Sequence, residues 1–332
     1  MYGISIMIMK NNLVNYVKNM RKRYNLTQEQ LAEQSGVGIH FLRDLEQGKQ
    51  SLRMDKVNQV LAVFNTSLFD NLVKEPEARY GVSSELRTLL KQIKSCKAKL
   101  DKARALTEGE QKRLYEDFIV EHTYNSNAIE GNTLTLRETD MVLRGLTIDK
   151  KPLKDHLETV GYKDAFYFVI DLVKHTQPLT EYTIKQIHQL VLADKPSDRG
   201  VYRSIPVRIM GASHTPAQPY LIAPKMEYLI ESYNESESNI VSKLAQFHID
   251  FESIHPFVDG NGRTGRLLVN LELMKAGFPP IDIKFTDRMR YYAAFDEYHT
   301  NGSPEAMEKL FAEYLLQQLN DRLEILNGNY RP

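Results

Sequence analysis

The stretch His255–Arg266, HPFVDGNGRTGR, sets side chains suited to polyphosphate chemistry within one short segment. His255 carries an imidazole that exchanges a proton near neutral pH, and Asp259 offers a hard carboxylate oxygen suited to Mg2+. Gly260, Asn261 and Gly262 form a loop whose backbone N–H groups can turn inward as an anion nest. An apolar-periodic helix follows at once through Leu267, Leu268, Leu271 and Met274, so a phosphate would sit at a helix N-terminus. Arg263 and Arg266 lie one turn apart and could each hold a different phosphate of one nucleotide. Taken singly, each residue has a plainer reading. His255 follows the apolar run Leu244–Ile254 and precedes Pro256, as a helix-end histidine would, and DGNG is also an ordinary tight turn. Their conjunction points to a nucleotide enzyme. His248 lies seven residues before His255, but with one cysteine and no third imidazole at ligand spacing the pair does not make a zinc site.

His255, Phe257, Asp259 and Gly260–Arg263, closed by Arg266, match the signature HxFxDGNGRxxR, and on these residues the chain is identified as a member of the Fic-domain proteins. The resemblance runs over residues 110–320 and implies transfer of AMP from ATP to a Tyr, Thr or Ser hydroxyl of a target protein. In that role His255 would be the general base, worth about 10²- to 10⁴-fold in rate. Asp259 would hold Mg2+ bridging the phosphates, and the backbone of Gly260–Gly262 would cradle phosphate oxygens. Arg266 would take the γ-phosphate, and Arg263 would support the nest or the β-phosphate. Phe257 would be a core anchor that aims His255. Tyr291 and Tyr292 stand where the family places residues around adenine, one of the two touching the base. His299 stands where some relatives carry asparagine, which departs from the family pattern there.

The resemblance extends to a second motif, Ser126–Asn132, SNAIEGN. One class of Fic proteins carries (S/T)xxxE(G/N) upstream of the catalytic motif, its glutamate pairing with the second signature arginine. Here that implies Glu130 on Arg266, removing the γ-phosphate's partner and setting negative charge where phosphate belongs. Ser126 and Glu130 are i and i+4, hence on one helix face, with Gly131 as the stop. The same glutamate would alternatively assist removal of AMP from a modified target. Between the motifs, residues 205–222, IPVRIMGASHTPAQPYLI, break helical periodicity and read as a β-hairpin. Val207, Ile209 and Met210 form one arm, Tyr220–Ile222 the other, with Gly211–Pro219 as the turn. It resembles the Fic flap, whose edge would pair with an extended segment of the target protein.

The N-terminal end differs in kind. Thr27–Gln30 is a capping box opening the helix TQEQLAEQ, Ser35–Val37 a short turn, and Gly38–Glu46 a second helix. Residues 13–64 resemble the Xre family of DNA-binding domains, with LTQEQLAEQSGVG followed by LEQGK. That resemblance implies a second helix in the major groove, with Gly38, Ile39, His40 and Arg43 near bases or phosphates and Leu42 and Leu45 buried. Residues 1–66 hold nine Lys or Arg against five Asp or Glu, about +4 within a chain carrying 43 of each sign. DNA contact is therefore expected through residues 1–66 alone.

The 332 residues, 42% of them hydrophobic, suffice for two or three domains with real cores. The expected organisation is a helix-turn-helix domain over 1–66, a connector and linker helix over 67–109, and a mainly α catalytic domain over 110–326 with one hairpin. Ser83–Leu106 reads as the linker helix, with one face solvated and the other packed on the catalytic domain. Cys96 is the only cysteine, so a reducing cytoplasm is the natural setting. The apolar start MYGISIMIM is too short to span a bilayer and reads as no signal peptide. Its alternation over Ile4–Met9 would make a strand able to pair in a homodimer. The competing function class is a transcription regulator whose Fic part senses nucleotide without transferring AMP.

Overall fold

The computed structural model describes residues 13–14, 16–49, 52–64, 83–209, 211 and 214–328. The expected strand at Ile4–Met9 and the connector over 65–82 lie outside them. The chain divides into two compact units, residues 1–81 and 82–332. Among the described residues both are helical, and no strand forms.

In the first unit, α1 (residues 16–23), α2 (Gln28–Ser35), α3 (Ile39–Glu46) and α4 (Met54–Ala62) enclose Val17, Leu31, Leu42, Leu45, Val57, Val60 and Leu61, all fully buried. Each such side chain stabilises the fold by about 1.5–3 kcal/mol relative to exposure. The Thr27–Gln30 capping box forms as read, Thr27 Oγ1 accepting from Gln30 N–H while Gln30 Oε1 accepts from Thr27 N–H. A forked ion pair ties α1 to α3: Arg21 donates through Nε and Nη2 to the two oxygens of Glu46 at 2.6 and 3.0 Å, and Gln28 adds a third bond at 2.7 Å. Because Glu46 is buried, removing one partner leaves a stranded charge.

The second unit opens with α5 (Ser84–Leu100), capped by the Ser83 hydroxyl. Leu86 and Ile93 face inward, and the helix packs along the C-terminal α14 (Glu305–Leu326), where Cys96 Sγ meets Asn320. Next come α6 (Glu108–Ile129), opened by the Thr107–Glu110 capping box, α7 (Leu136–Leu143), opened by Thr135–Glu138, α8 (Leu153–Lys174) and α9 (Glu181–Val191). They are followed by α10 (Ile222–Glu235), α11 (Ile240–Ile254), α12 (Asn261–Lys275) and α13 (Arg288–Asn301). Helix α12 is the hub: apart from Gly262 and Lys275 its side chains are buried, and α6, α8, α9 and α11 pack around it. Buried on nearly all sides rather than along one stripe, it lies within the core. Gly265 admits α11 closely, since a Cβ there would lie 2.7 Å from the His248 ring.

The segment 205–222 corrects the hairpin expectation. Its second arm is helical: Pro219–Leu221 forms a 3-10 turn running directly into α10 at Ile222. Pro219 explains this, because its ring fixes φ for a first helical position and it has no N–H for a strand ladder. The described residues of 205–209 and 214–218 are irregular.

Candidate active site

The site grows from the way α11 ends and α12 begins. His255 caps α11 in the left-handed region, φ 50°, ψ 62°, with its N–H on Phe251 O at 2.9 Å. Six residues later the chain must start α12. Asn261 shapes the turn by bonding both backbone groups of Phe257, Oδ1 accepting from N at 2.9 Å and Nδ2 donating to O at 3.0 Å. Gly260, φ 76°, is the N-cap, and the first α12 bond is Thr264 N–H to Gly260 O, 3.0 Å. The amides of residues 261–263 precede that bond, as the first donors of a helix do, and make an anion site. Asn261 therefore contributes its amide while its side chain builds the loop.

Two residues absent from any local pattern hold this loop from α9 and beyond. His188, fully buried, stacks on Phe257 with centroids 3.6 Å apart and ring planes 4° apart. Its Nδ1 accepts from Gly200 N–H at 2.8 Å, so the proton sits on Nε2, which donates to Asp259 O at 2.9 Å. Burial pushes its pKa down to about 4, in keeping with a neutral ring. Lys195 bonds the Asp259 carboxylate directly. Burial opposes ionisation of Asp259, but Lys195 and Arg263 outweigh it and bring its pKa down to about 2.

Arg263 is wholly buried, paired to Glu158 Oε1 of α8 at 3.0 Å and to Asp259 Oδ1 at 3.3 Å. It supports the loop from beneath. Arg266, also buried, is held by four contacts: Nε to Ser126 Oγ at 2.9 Å, Nη2 to Ser126 O at 2.9 Å and to Glu130 Oε1 at 2.9 Å, and Nη1 to Tyr291 Oη at 3.3 Å. Glu130 ends α6, with Gly131 beyond it at φ 93°. Its carboxylate reaches over α12 so closely that a Cβ on Gly262 would lie 2.2 Å from Oε1. Glycine at 262 thus leaves room for an anionic group over the helix N-terminus, and in this structure Glu130 stands there.

The last turns of α6 are fixed by buried polar groups. His122 Nδ1 meets Asp282 Oδ1 at 3.1 Å, Asn125 donates to Asp282 Oδ2 at 2.7 Å, and Tyr162 Oη meets His122 Nε2 at 3.0 Å. Tyr291 joins the same interior: it accepts from Arg266, so its own proton goes to His248 Nε2, 2.7 Å away. That bond needs a neutral His248, whose pKa burial lowers to about 3. Tyr291, expected near adenine, is 2% exposed and engaged on both sides, whereas Tyr292 is 41% exposed and donates to Ile129 O at 2.9 Å. His299 stacks on His214 with centroids 3.7 Å apart and accepts from or donates to Ser253 Oγ at 3.2 Å. His255 keeps Nδ1 without a hydrogen-bond partner, Glu252 Oε2 lying 3.6 Å away.

Residues 178–273 match the Fic/DOC family model, and residues 17–71 match a helix-turn-helix model. The chain carries a Fic/DOC-family domain. Similar proteins include the protein adenylyltransferase Fic of Nematostella vectensis, 36% identical over 202 residues, covering 58% of this chain and 47% of that protein. The Drosophila melanogaster protein of the same name is 34% identical over 209 residues, covering 61% and 42%. The chain thus spans less than half the length of these curated relatives. Among solved structures, a Fic-domain-containing signaling protein from Bacteroides thetaiotaomicron superposes with TM-score 0.63 at 27% identity, covering 74% of this chain and 98% of that one. A Fic-1 segment from C. elegans shares the fold, TM-score 0.67 at 22% identity, over 92% and 89%. The Fic domain's signature loop is the one described above.

Mg2+ binds through one or two carboxylates plus substrate phosphates rather than in all-protein cages. Asp259 on the Fic loop fits that pattern, and no cluster of three metal-ligating side chains occurs among the described residues. In the helix-turn-helix domain, Gly38, His40 and Arg43 are exposed and Ile39 half-buried, while Leu42 and Leu45 are fully buried. No helix among the described residues is long and apolar enough to cross a membrane.

Proposed function

We propose that this chain is an autoinhibited protein adenylyltransferase that moves AMP from ATP to a Tyr, Thr or Ser hydroxyl of a target protein. The observation carrying this reading is the Glu130 carboxylate, 2.9 Å from Arg266 Nη2 and over Gly262, in the place a phosphate would need. When Glu130 withdraws, Arg266 takes the γ-phosphate and the amides of residues 261–263 take phosphate oxygens. Asp259, freed from Lys195, would hold Mg2+, and the ion when bound would supply charge neutralisation for the departing pyrophosphate. His255 accepts the target hydroxyl's proton as that oxygen attacks the α-phosphate. Arg263 and His188 hold the loop without touching substrate. Tyr292, rather than Tyr291, has the exposure to meet the adenine. The irregular residues 205–209 and 214–218 would receive an extended segment of the target as a flap. The names of the relatives, protein adenylyltransferase Fic, support the transfer reaction. The helix-turn-helix domain adds DNA binding through α3, supported by the exposure of His40 and Arg43 and the local excess of positive charge. The buried lone thiol of Cys96 suits a cytoplasmic setting.

The test uses the full chain with Mg2+ and ATP labelled on either the α- or the γ-phosphate. Protein should acquire α-label only, strongly in Glu130→Gly and not at all when His255→Ala is added. Transfer of γ-label would instead make it a kinase. No label in any protein, even for Glu130→Gly with cell extract supplied, would favour the nucleotide-sensing regulator.

A further inference from the structure

Arg203 lies in the connection after α9, outside the signature loop, and is 3% exposed. Among the described residues no carboxylate answers its charge. Its guanidinium instead makes four hydrogen bonds to backbone carbonyls. Nε donates to His255 O at 2.7 Å, Nη1 to Ile205 O at 2.9 Å, and Nη2 to Ala217 O and, at 3.3 Å, to Ile254 O. Its own N–H donates to Pro256 O at 3.0 Å. Burial without an acid partner pushes its pKa below the usual arginine value.

These contacts join two things that the chain otherwise leaves apart. Ile205 and Ala217 bound the irregular segment, and with no strand ladder among its described residues a side chain holds the two ends together. Ile254 and His255 are the end of α11, where the last carbonyls of a helix lack intrahelical partners. The left-handed backbone of His255 turns its carbonyl toward Arg203, and this hydrogen bond helps keep a non-glycine residue in that sparsely populated region. We infer that Arg203 is a positioning residue that couples the 205–217 segment to His255, so that a target seated on the segment is registered against the proton acceptor. The inference rests on the adenylyltransferase reading. A rigid planar fork suits this task, because it presents several donors in fixed directions, whereas a lysine ammonium is one rotating point.

Arg203→Lys in the full-length Glu130→Gly chain tests it. Hydrogen exchange should accelerate together at residues 205–209 and 255–257 while the amides of α12 keep their protection. Acceleration at only one of the two places overturns the coupling. Labelled AMP transfer should fall roughly tenfold to a hundredfold, as a misplacement near 1 Å does. The ATP dissociation constant should stay within about twofold, because Arg203 touches none of the phosphate-binding groups. A parallel loss of ATP affinity, or unchanged transfer, refutes a positioning role. If Glu130→Gly itself transfers no AMP, the adenylyltransferase reading fails while the exchange data still decide the coupling. Should Arg203→Lys not fold, native-state exchange of the unaltered chain in low urea decides. The two places should open with one common free energy and denaturant slope, and distinct slopes contradict the inference.

Discussion

Replacing Glu130 by Gln separates charge from shape in the proposed brake. Three of the four Arg266 contacts, two to Ser126 and one to Tyr291, survive the substitution, so the guanidinium stays in place. The fourth changes from a charge-assisted hydrogen bond, worth about 1.5–3 kcal/mol, to a neutral one worth about 0.5–1.5 kcal/mol. The Glu130 side chain is 33% exposed, which favours the lower end of the first range. The competing interaction should therefore weaken by about 0.5–1 kcal/mol, making nucleotide binding roughly two- to fivefold tighter. Glu130→Gly removes the contact and the bulk over Gly262 together, and about 1.5–2 kcal/mol corresponds to roughly ten- to thirtyfold. Calorimetry with ATP and Mg2+ in a His255→Ala background, which prevents turnover, should rank affinities as parent, then Gln, then Gly. If Gln binds like the parent while Gly binds tightly, the brake is steric and the electrostatic reasoning is wrong. If neither tightens, Arg266 is not a nucleotide ligand.

Lys195→Met should free the Asp259 carboxylate and raise its pKa, lowering the Mn2+ concentration that half-saturates the site in electron paramagnetic titrations; an unchanged midpoint would show that Lys195 does not compete there. His188 and His248 have folded pKa values of about 4 and 3, below the ordinary 6.5, so the unfolded chain binds more protons in that interval. Stability should therefore be full above pH 6.5 and decline as pH falls, by at most about 1.4 kcal/mol per pH unit per histidine. Urea melts between pH 7 and pH 5 check this, and His188→Gln should flatten the slope; stability rising on acidification would be incompatible with both assignments. On the helix-turn-helix domain, Arg43→Ala should weaken binding to the chain's own upstream DNA in gel shifts, with affinity falling as salt rises. Equal binding by parent and variant, insensitive to salt, would remove α3 from the groove.

The catalytic loop was legible because its residues are contiguous, and the pairing of Glu130 with Arg266 because the resemblance names it across 136 positions. The capping box at Thr27 is local chemistry and forms as the sequence implies. Lys195, His188, Glu158 and Arg203 escaped because each acts across tertiary distance with no spacing rule linking it to the loop. The tyrosine pair illustrates a different limit. Neighbours on a helix point about 100° apart, so one of Tyr291 and Tyr292 had to turn inward, and adjacency alone does not say which. The hairpin reading failed on competing chemistry. Pro219 closes the expected Gly211–Pro219 turn, yet it stands at a first helical position, and the Arg203 fork on Ile205 and Ala217 takes the place of a ladder.

The central claim is that one guanidinium, Arg266, is contested between Glu130 and the nucleotide. A structure of the full-length Glu130→Gly chain with Mg2+ and a non-hydrolysable ATP analogue tests it most directly. The γ-phosphate should lie on Arg266, phosphate oxygens on the amides of residues 261–263, and the α-phosphate should face His255. A γ-phosphate bound elsewhere, with Arg266 still held only by Ser126 and Tyr291, would contradict it.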